Sequence, residues 1–457
     1  MSLNIILLNE TLRWHDNPLL QLEVGPKVAV LVLDEKAFFA SQYGVARANL
    51  RRLQQQLEAI AALKRQLASQ HIGLIVCVGN IKECIRRLQQ QLGATSLYAA
   101  EPVGFNEYSA LQQLKPYLSV TLLDCNSLLG DGLRPQLDSL PNTFTPFRKQ
   151  REPLLEVSAP SDHSVSSSAW LSIAQCEVFN PPFNQLYHQY AATDKNFSAL
   201  EQSATTHFTQ YIWQQQHVRH YKETRNQLYG EHYASFLSAP LALGTLSVRW
   251  AWQQIIAFEH SVTANDSTYW LKFELLWREF FRWQFRKYGA RWFSKGAIKG
   301  AIDFNKPKPN AAQLKRFENW CQASTGVPFI DANMRLLNQT GLMSNRGRQN
   351  VASFLVHDLG VDWRLGAAYF EQRLLDYDCA SNWGNWAYIA GSGNAAERQF
   401  NVIKQALHYD PDGSFVRAML PEITSSGSLV HQPSQQFQSP EHWHHWLAKL
   451  RPASSTP

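Results

Sequence analysis

The sequence predicts an α/β domain with a parallel sheet, then a long connection, then a larger all-helical domain. Three observations predict it. The first third alternates β-rich runs with segments whose apolar residues recur at helical spacing, the pattern of a parallel sheet covered on both faces. The stretch from about 130 to 200 loses that periodicity. From about Ser203 to Leu450 the pattern is helical almost throughout, interrupted at Gly or Pro points such as Gly244, 306–309 and Gly360. The boundaries read as 1–130, 131–202 and 203–457. A chain of 457 residues is too long for one compact core, so two domains are the natural division.

Taken in order, residues 4–9, 28–34, 73–79, 96–99 and 120–124 read as strands, with helices over 47–70 and 81–92 between them. No G-x-G-x-x-G follows the first strand and no Walker motif occurs, so this domain carries no nucleotide fingerprint of its own. Pro135, Pro141, Pro146, a serine-rich run over 158–170 and the Pro181-Pro182 pair mark the connection.

Composition narrows the class. With 45% hydrophobic and 18% charged residues the chain reads as an ordinary soluble protein. Its start, MSLNIILLNETLRWHDN, lacks a basic leader and has too short an apolar run for a signal peptide or membrane span. The six cysteines are scattered without a C-x-x-C pair, which argues against metal clusters and disulfide frameworks. The expectation is a reduced, cytoplasmic protein without a metal. The net charge of +6 is unevenly placed: 278–316 holds eleven Lys or Arg against two acids. Arg282, Arg286, Lys287, Arg291, Lys295, Lys299, Lys306 and Lys308 alternate there with Trp283, Phe285, Tyr288, Trp292 and Phe293. Such a stretch suits phosphate contacts and base stacking, and it equally suits a solvated helix face followed by a lysine-rich loop.

The densest chemistry lies in 341–394, which reads GLMSNRGRQNVASFLVHDLGVDW and then RLLDYDCASNWGNWAYIAGSGN. Arg346, Arg348, Asp376, Asp378 and the carboxamides Asn345, Gln349, Asn382 and Asn385 are interleaved with Trp363, Tyr377, Trp383, Trp386 and Tyr388. A packed core does not need so many hydrogen-bonding groups beside its largest rings, since each one buried unpaired costs about 1–3 kcal/mol. A cradle for a flat, polar-edged cofactor does need them. Arg348 and Asp376 can form a charge-assisted pair over such a ring, with Asp378 accepting from a ring N–H or a hydroxyl. Asn382 offers a neutral carboxamide to a redox-active nitrogen. Trp386 and Trp363 are oxidisable rings suited to electron hopping, or simply core. Upstream, Ser235 and Ser238 flank a Pro-broken helix start and suit either a diphosphate or ordinary capping. Glu274, Trp277, Arg278 and Phe281 share one helix face, which suits a base edge with a stacked ring, or a Glu274–Arg278 ion pair beside a core indole.

Seven segments together resemble the photolyase/cryptochrome family, and within it the cryptochrome-DASH branch. They are LNETLRWHDNP (8–18), FTPFRKQRE (144–152), YKETRN (221–226), ELLWREF (274–280), TGVPFIDANMR (325–335), SNRGRQNVASFL (344–355) and DYDCASNWGNWAY (376–388). The resemblance covers nearly the whole chain. It implies a Rossmann-like antenna domain and a helical domain holding FAD in a U shape. By that resemblance Tyr221, Arg225, Ser235, Leu237 and Ser238 line the ribityl and phosphates. Trp277, Arg278, Asn345, Arg348, Asp376, Asp378 and Asn382 surround the adenine and isoalloxazine, with Asn382 facing N5. Glu274, Trp277, Gln349 and Tyr388 form the substrate face, and Glu152 contacts a 5,10-methenyltetrahydrofolate antenna.

The activity implied is light-driven repair of cyclobutane pyrimidine dimers, chiefly in single-stranded or locally unpaired DNA, by electron transfer from reduced FAD. RNA is a further possible nucleic-acid partner, the expected state is a monomer, and no membrane is involved. The competing reading is a blue-light signalling cryptochrome that binds nucleic acid without efficient repair. Three departures from the family pattern stand out. Asn310 occupies the place of the surface tryptophan in the photoreduction chain, so slow photoreduction, or a route through Trp320 or a nearby Tyr, is expected. Ala234 and the Ala239-Pro240 pair alter the phosphate loop. Arg151 precedes the antenna glutamate where an apolar residue is usual.

Overall fold

The computed structural model describes residues 3–130, 133–157, 169–194 and 197–451. Its strands are β1 (Leu3–Leu7), β2 (Lys27–Leu33), β3 (Ser41–Gln42), β4 (Val45–Ala46), β5 (Leu74–Val78), β6 (Ala94–Ala100) and β7 (Ser119–Leu123). Five of them form one parallel sheet in the order β5-β2-β1-β6-β7, and β3 and β4 make a small antiparallel pair. In β1 the period of two sends alternate side chains to opposite faces. Ile5 and Leu7 pack with Ile85 and Leu88 of helix Ile81–Leu92, whereas Ile6 packs with Leu57, Ile60 and Leu63 of helix Leu50–Ser69. Both faces are therefore buried, which is why these strands read as unbroken apolar runs.

The sheet is doubly wound, and its strand order reverses between β1 and β6. The loops at the carboxyl ends of β1, β6 and β7 meet the helical domain. Arg13, 1% exposed, donates to Asp16 O, Cys125 O (2.9 Å), Asn126 Oδ1 (2.9 Å) and, across the boundary, Gly244 O (3.0 Å). Gly244 caps helix Ser238–Leu243 at φ 71°, and a Cβ there would lie 2.1 Å from Glu10 O. Only glycine allows the two backbones to meet so closely.

The stretch expected as a connection is more structured than its sequence suggests. Helix Phe144–Arg151 inserts Phe144 and Phe147 into the large helical core. Further on, Leu171 N donates to Lys27 O (3.0 Å) and Asn180 pairs with both Leu74 O and Val76 N of edge strand β5. Helix Pro181–Tyr190 then packs Phe183 against the sheet core. Residues 169–190 thus cover an edge that would otherwise stay open. Most of the serine-rich run, 158–168, lies outside the described residues.

The basic stretch resolves into two parts. Arg282 is buried, Arg286 pairs with Asp124 (2.8 Å) and Glu101 (3.5 Å), and Lys287 Nζ donates to Leu140 O (2.8 Å). These groups, on helix Asp266–Tyr288, bind the sheet domain and the segment after it. The reading of these residues as a nucleic-acid contact is corrected here: their charges are spent inside the molecule. Lys295, Lys299, Lys306 and Lys308 stay exposed on the following loop. No helix among the described residues is long and apolar enough to cross a membrane.

Candidate functional site

A cavity of about 550 Å³ opens into the helical domain. Helix Asp266–Tyr288 supplies Glu274, Trp277 and Arg278, one turn apart as their spacing requires. Helix Asn345–Ser353 supplies Asn345, Arg348 and Gln349, and helix Cys379–Ile389 supplies Asn382, Trp386 and Tyr388. Asp376 and Asp378 enter from the short segment before that last helix, and Tyr221, Arg225, Ser235, Leu237 and Ser238 close the opposite side. Every residue that the resemblance assigns to FAD or to the substrate face lines this one cavity, and so does Trp386. Glu152 and Trp363 lie outside it.

Arg348 Nη2 reaches both oxygens of the buried Asp376 carboxylate at 3.0 and 2.7 Å, and its Nε donates to Met343 O (2.9 Å). The guanidinium is thus fixed in place by a fork and a carbonyl. Asp378 caps helix Cys379–Ile389 by accepting from Ser381 N (2.7 Å). Asn382 Nδ2 donates to Ala367 O (3.0 Å). A carbonyl can only accept, so the amide nitrogen must face Ala367, and Oδ1 remains as an acceptor for a ligand N–H.

Glu274 pairs with Arg225, not with Arg278, so the intrahelical ion pair is not the arrangement adopted. Burial raises the Glu274 carboxyl, against the opposing pull of Arg225. The Arg225 guanidinium also lies 4.7 Å over the Trp270 ring. Arg278 donates to Asn126 O (3.0 Å) and Leu241 O (3.4 Å), and burial, with Arg282 adding to it, lowers it to about 10. A cation held that tightly in a cavity wall favours an anionic ligand. Trp277 stands nearly perpendicular to Tyr388, with ring centroids 6.3 Å apart and an interplanar angle of 87°. It also stacks on Phe144, at 3.8 Å and 11°. Gln349 is held by Arg346 (2.8 Å), which also reaches Asn226.

Outside the cavity, Glu152 accepts from Arg148 (2.9 Å), which also bonds the Tyr269 hydroxyl. The ring contacts of Trp363 run to Trp383 at 5.9 Å, and its Nε1 donates to Lys295 O (3.0 Å). Those of Trp386 run to Phe370 at 5.1 Å and to the fully buried Trp320 at 6.1 Å. Trp320 in turn lies 5.5 Å from Tyr369. Asn310 is exposed and caps helix Ala311–Cys321.

Sequence reasoning missed Tyr233, Phe236 and Trp270 in the wall and Phe144 behind Trp277. Tyr233 and Phe236 sit in the irregular loop before Ser238, which has no periodicity to read. Phe144 lies 133 positions from its partner (277 − 144), beyond any local signal. The donor and acceptor set around the cavity is mixed: serine hydroxyls, an arginine, an ion pair, a carboxylate and an oriented carboxamide. That set fits a dinucleotide cofactor with a diphosphate and a hydrogen-bonding ring system.

A family model described as the FAD binding domain of DNA photolyase matches residues 270–450, and one described as DNA photolyase matches residues 4–164. Cryptochrome DASH of Natronomonas pharaonis is 37% identical over 460 residues, covering 95% of this chain and 94% of the relative. Cryptochrome DASH of Gloeobacter violaceus is 37% identical over 438 residues, covering 92% and 86%. The crystal structure of a Synechocystis cryptochrome aligns with a TM-score of 0.81 at 34% identity, covering 97% of this chain and 93% of that one. A bacterial class III photolyase from Agrobacterium tumefaciens aligns at 0.74 and 25%, covering 100% and 94%.

Proposed function

The chain belongs to the cryptochrome DASH branch of the DNA photolyase family, and from that premise we propose that it repairs cyclobutane pyrimidine dimers in single-stranded DNA with light. The observation that carries this reading is one cavity presenting two different faces. Glu274, Trp277, Gln349 and Tyr388 share it with Asn382, Arg348, Asp376 and Asp378. A substrate against the first face lies beside a cofactor held by the second.

The FAD binding domain implies FAD, and the residues present fit it. Ser235 and Ser238 would hold the diphosphate, with Tyr221, Arg225 and Leu237 beside the ribityl chain. Trp277, Arg278, Arg348, Asp376, Asp378, Asn345 and Asn382 would hold the ring systems, Asn382 through its free Oδ1. When bound, reduced FAD supplies one electron on excitation by light.

The chain's own residues do the rest. Trp277 and Tyr388 form a right-angled corner that receives an unstacked pair of pyrimidines. Glu274, kept partly desolvated, offers its carboxyl to a base edge and steadies developing negative charge there. Unstacking a target from a duplex costs a few kcal/mol that a single strand does not demand, hence the expected strand preference. Trp386, with Trp363 or Trp320 behind it, relays electrons from the protein interior. Glu152 is assigned to a methenyltetrahydrofolate antenna, its carboxylate oriented by Arg148. The working form is taken as a cytoplasmic monomer, with RNA as a second nucleic-acid ligand.

The test is an absorption spectrum of the purified protein, followed by illumination with a UV-damaged thymine oligonucleotide under reducing conditions. Bound flavin with dimers lost from the single strand, and few lost from the duplex, supports the proposal. Bound flavin with dimers intact moves the assignment to a blue-light receptor, and no flavin overturns the reading of the cavity.

A further inference from the structure

The segment carrying Asp376 and Asp378 is held from outside its own domain. It links helix Trp363–Arg373 to helix Cys379–Ile389, and three of the backbone carbonyls over 371–375 are taken by the sheet domain. Arg52 Nη1 donates to Glu371 O, Asn49 N to Gln372 O (3.1 Å) and Gln55 Nε2 to Leu375 O (2.8 Å). All three donors lie within two turns of the start of helix Leu50–Ser69.

The side chains continue the same attachment. Glu371, 2% exposed, accepts from Arg47 Nε (2.8 Å) at one oxygen and from Tyr377 OH (2.9 Å) and Trp383 Nε1 (3.2 Å) at the other. Arg52 also donates to Arg47 O (2.8 Å), and its guanidinium lies 4.4 Å over the Tyr377 ring. Tyr377 stands between Asp376 and Asp378, so fixing its ring and hydroxyl fixes the backbone from which both carboxylates project. Trp383 is the residue after Asn382 on the adjoining helix.

We propose that Arg47, Arg52 and Gln55 of the sheet domain are positioning residues for the cavity, holding 371–378 where Asp376 and Asp378 meet the cofactor. The proposal deepens the FAD reading and rests on it. None of these residues lines the cavity. Their effect passes through the carbonyls of 371–375 and the Glu371 carboxylate, so they set cofactor retention while leaving the cavity wall chemically intact. The sheet domain is then a structural part of the site, whatever else it binds.

The test uses the full-length, FAD-loaded chain with Arg52→Met and Gln55→Leu as single variants. Arg51→Ala is the control, because Arg51 also crosses the domain boundary, to Gln339 O (3.3 Å), without touching 371–378. FAD release is followed by recovery of flavin fluorescence on dilution, and the melting temperature is taken on the FAD-free chain. Release about tenfold faster in both variants, with Arg51→Ala at the wild-type rate and all three FAD-free chains melting together, supports the positioning role. Release within twofold of wild type overturns it, and so does faster release that only follows a matching loss of FAD-free stability. Should Arg52→Met fail to fold, Gln55→Asn, which shortens one donor by one methylene, carries the same two outcomes. A wild-type chain that retains no FAD overturns the underlying reading of the cavity, an outcome distinct from retained FAD with unchanged release.

Discussion

At the scale of single residues, the site depends on places where an atom is absent as much as on those where one is present. Gly366 lies within helix Trp363–Arg373, and a Cβ there would fall 2.2 Å from Trp386 Cη2 and 2.6 Å from Leu355 Cδ2. Two effects compete in Gly366→Ala. Helix propensity favours alanine by about 1 kcal/mol. Overpacking against a buried indole costs about 1–3 kcal/mol, and here the obstacle is a rigid ring. The variant is expected to melt lower than wild type and to shift the fluorescence of Trp386. A higher melting temperature would show that the indole yields easily. Glycine at this position is therefore read as a seat for Trp386.

At the scale of elements, helix ends and helix irregularities carry the interest. The chain from Trp386 runs through ring contacts to Trp320 and on to Tyr369. Phenylalanine is far harder to oxidise than tryptophan, so Trp386→Phe should stop light-driven reduction of bound FAD and Trp320→Phe should slow it severalfold. Transient absorption of the purified protein checks both. An unchanged rate in Trp320→Phe would return the relay to Trp363. The π-helical turn Phe354–Asp358 ends in a buried carboxyl 3.7 Å from His442. Burial raises Asp358 from 3.8 to about 7, opposed by Gln399. A carboxyl whose folded value is raised stabilises the protein in its protonated form. Its contribution is complete below pH 3.8 and is lost as pH rises to about 7. At about 1.4 kcal/mol per unit the effect amounts to a few kcal/mol at most. Melting temperature should therefore fall between pH 4 and pH 7, and Asp358→Asn should flatten part of that slope.

Legibility follows the same division. The five sheet strands and helix Ile81–Leu92 could be read from sequence to within about two residues, because a buried strand and an amphipathic helix each announce themselves locally. The grouping of Glu274, Trp277 and Arg278 needed only helical spacing. What could not be read were partners: Glu274 meets Arg225 across 49 positions, Arg286 meets Asp124 across 162 and Glu371 meets Arg47 across 324. A basic stretch looks the same in sequence whether its charges face phosphates or a neighbouring domain, and only the fold distinguishes them.

At the scale of the whole molecule, the two domains share polar groups that neither can satisfy alone. Arg13 binds Gly244 O, Arg249 pairs with Asp16 (3.2 Å), and the buried Glu279 accepts from Ser127 and Leu128 N (3.0 Å). Separating the domains would strand these groups, at about 1–3 kcal/mol each for a buried hydrogen-bonding atom without a partner. Scanning calorimetry should therefore show one unfolding transition for a chain of this length. Two well-separated peaks would mean the boundary is weaker than its hydrogen bonds imply. Arg13→Met leaves several acceptors unpaired and should lower the melting temperature by several degrees, broadening or splitting the peak.

The Arg13 contact also has a history within each molecule's synthesis. The arginine and its acceptor at Gly244 are 231 positions apart. At about 5–20 residues per second, a ribosome needs roughly 12 to 46 seconds to cover that interval. Over the first half of that interval the acceptors at Cys125 and Asn126 are also still to be made, and over the second half only the one at Gly244 is missing, with water standing in for it. The carboxyl edge of the first domain is therefore sealed only once translation has delivered Gly244 from the second.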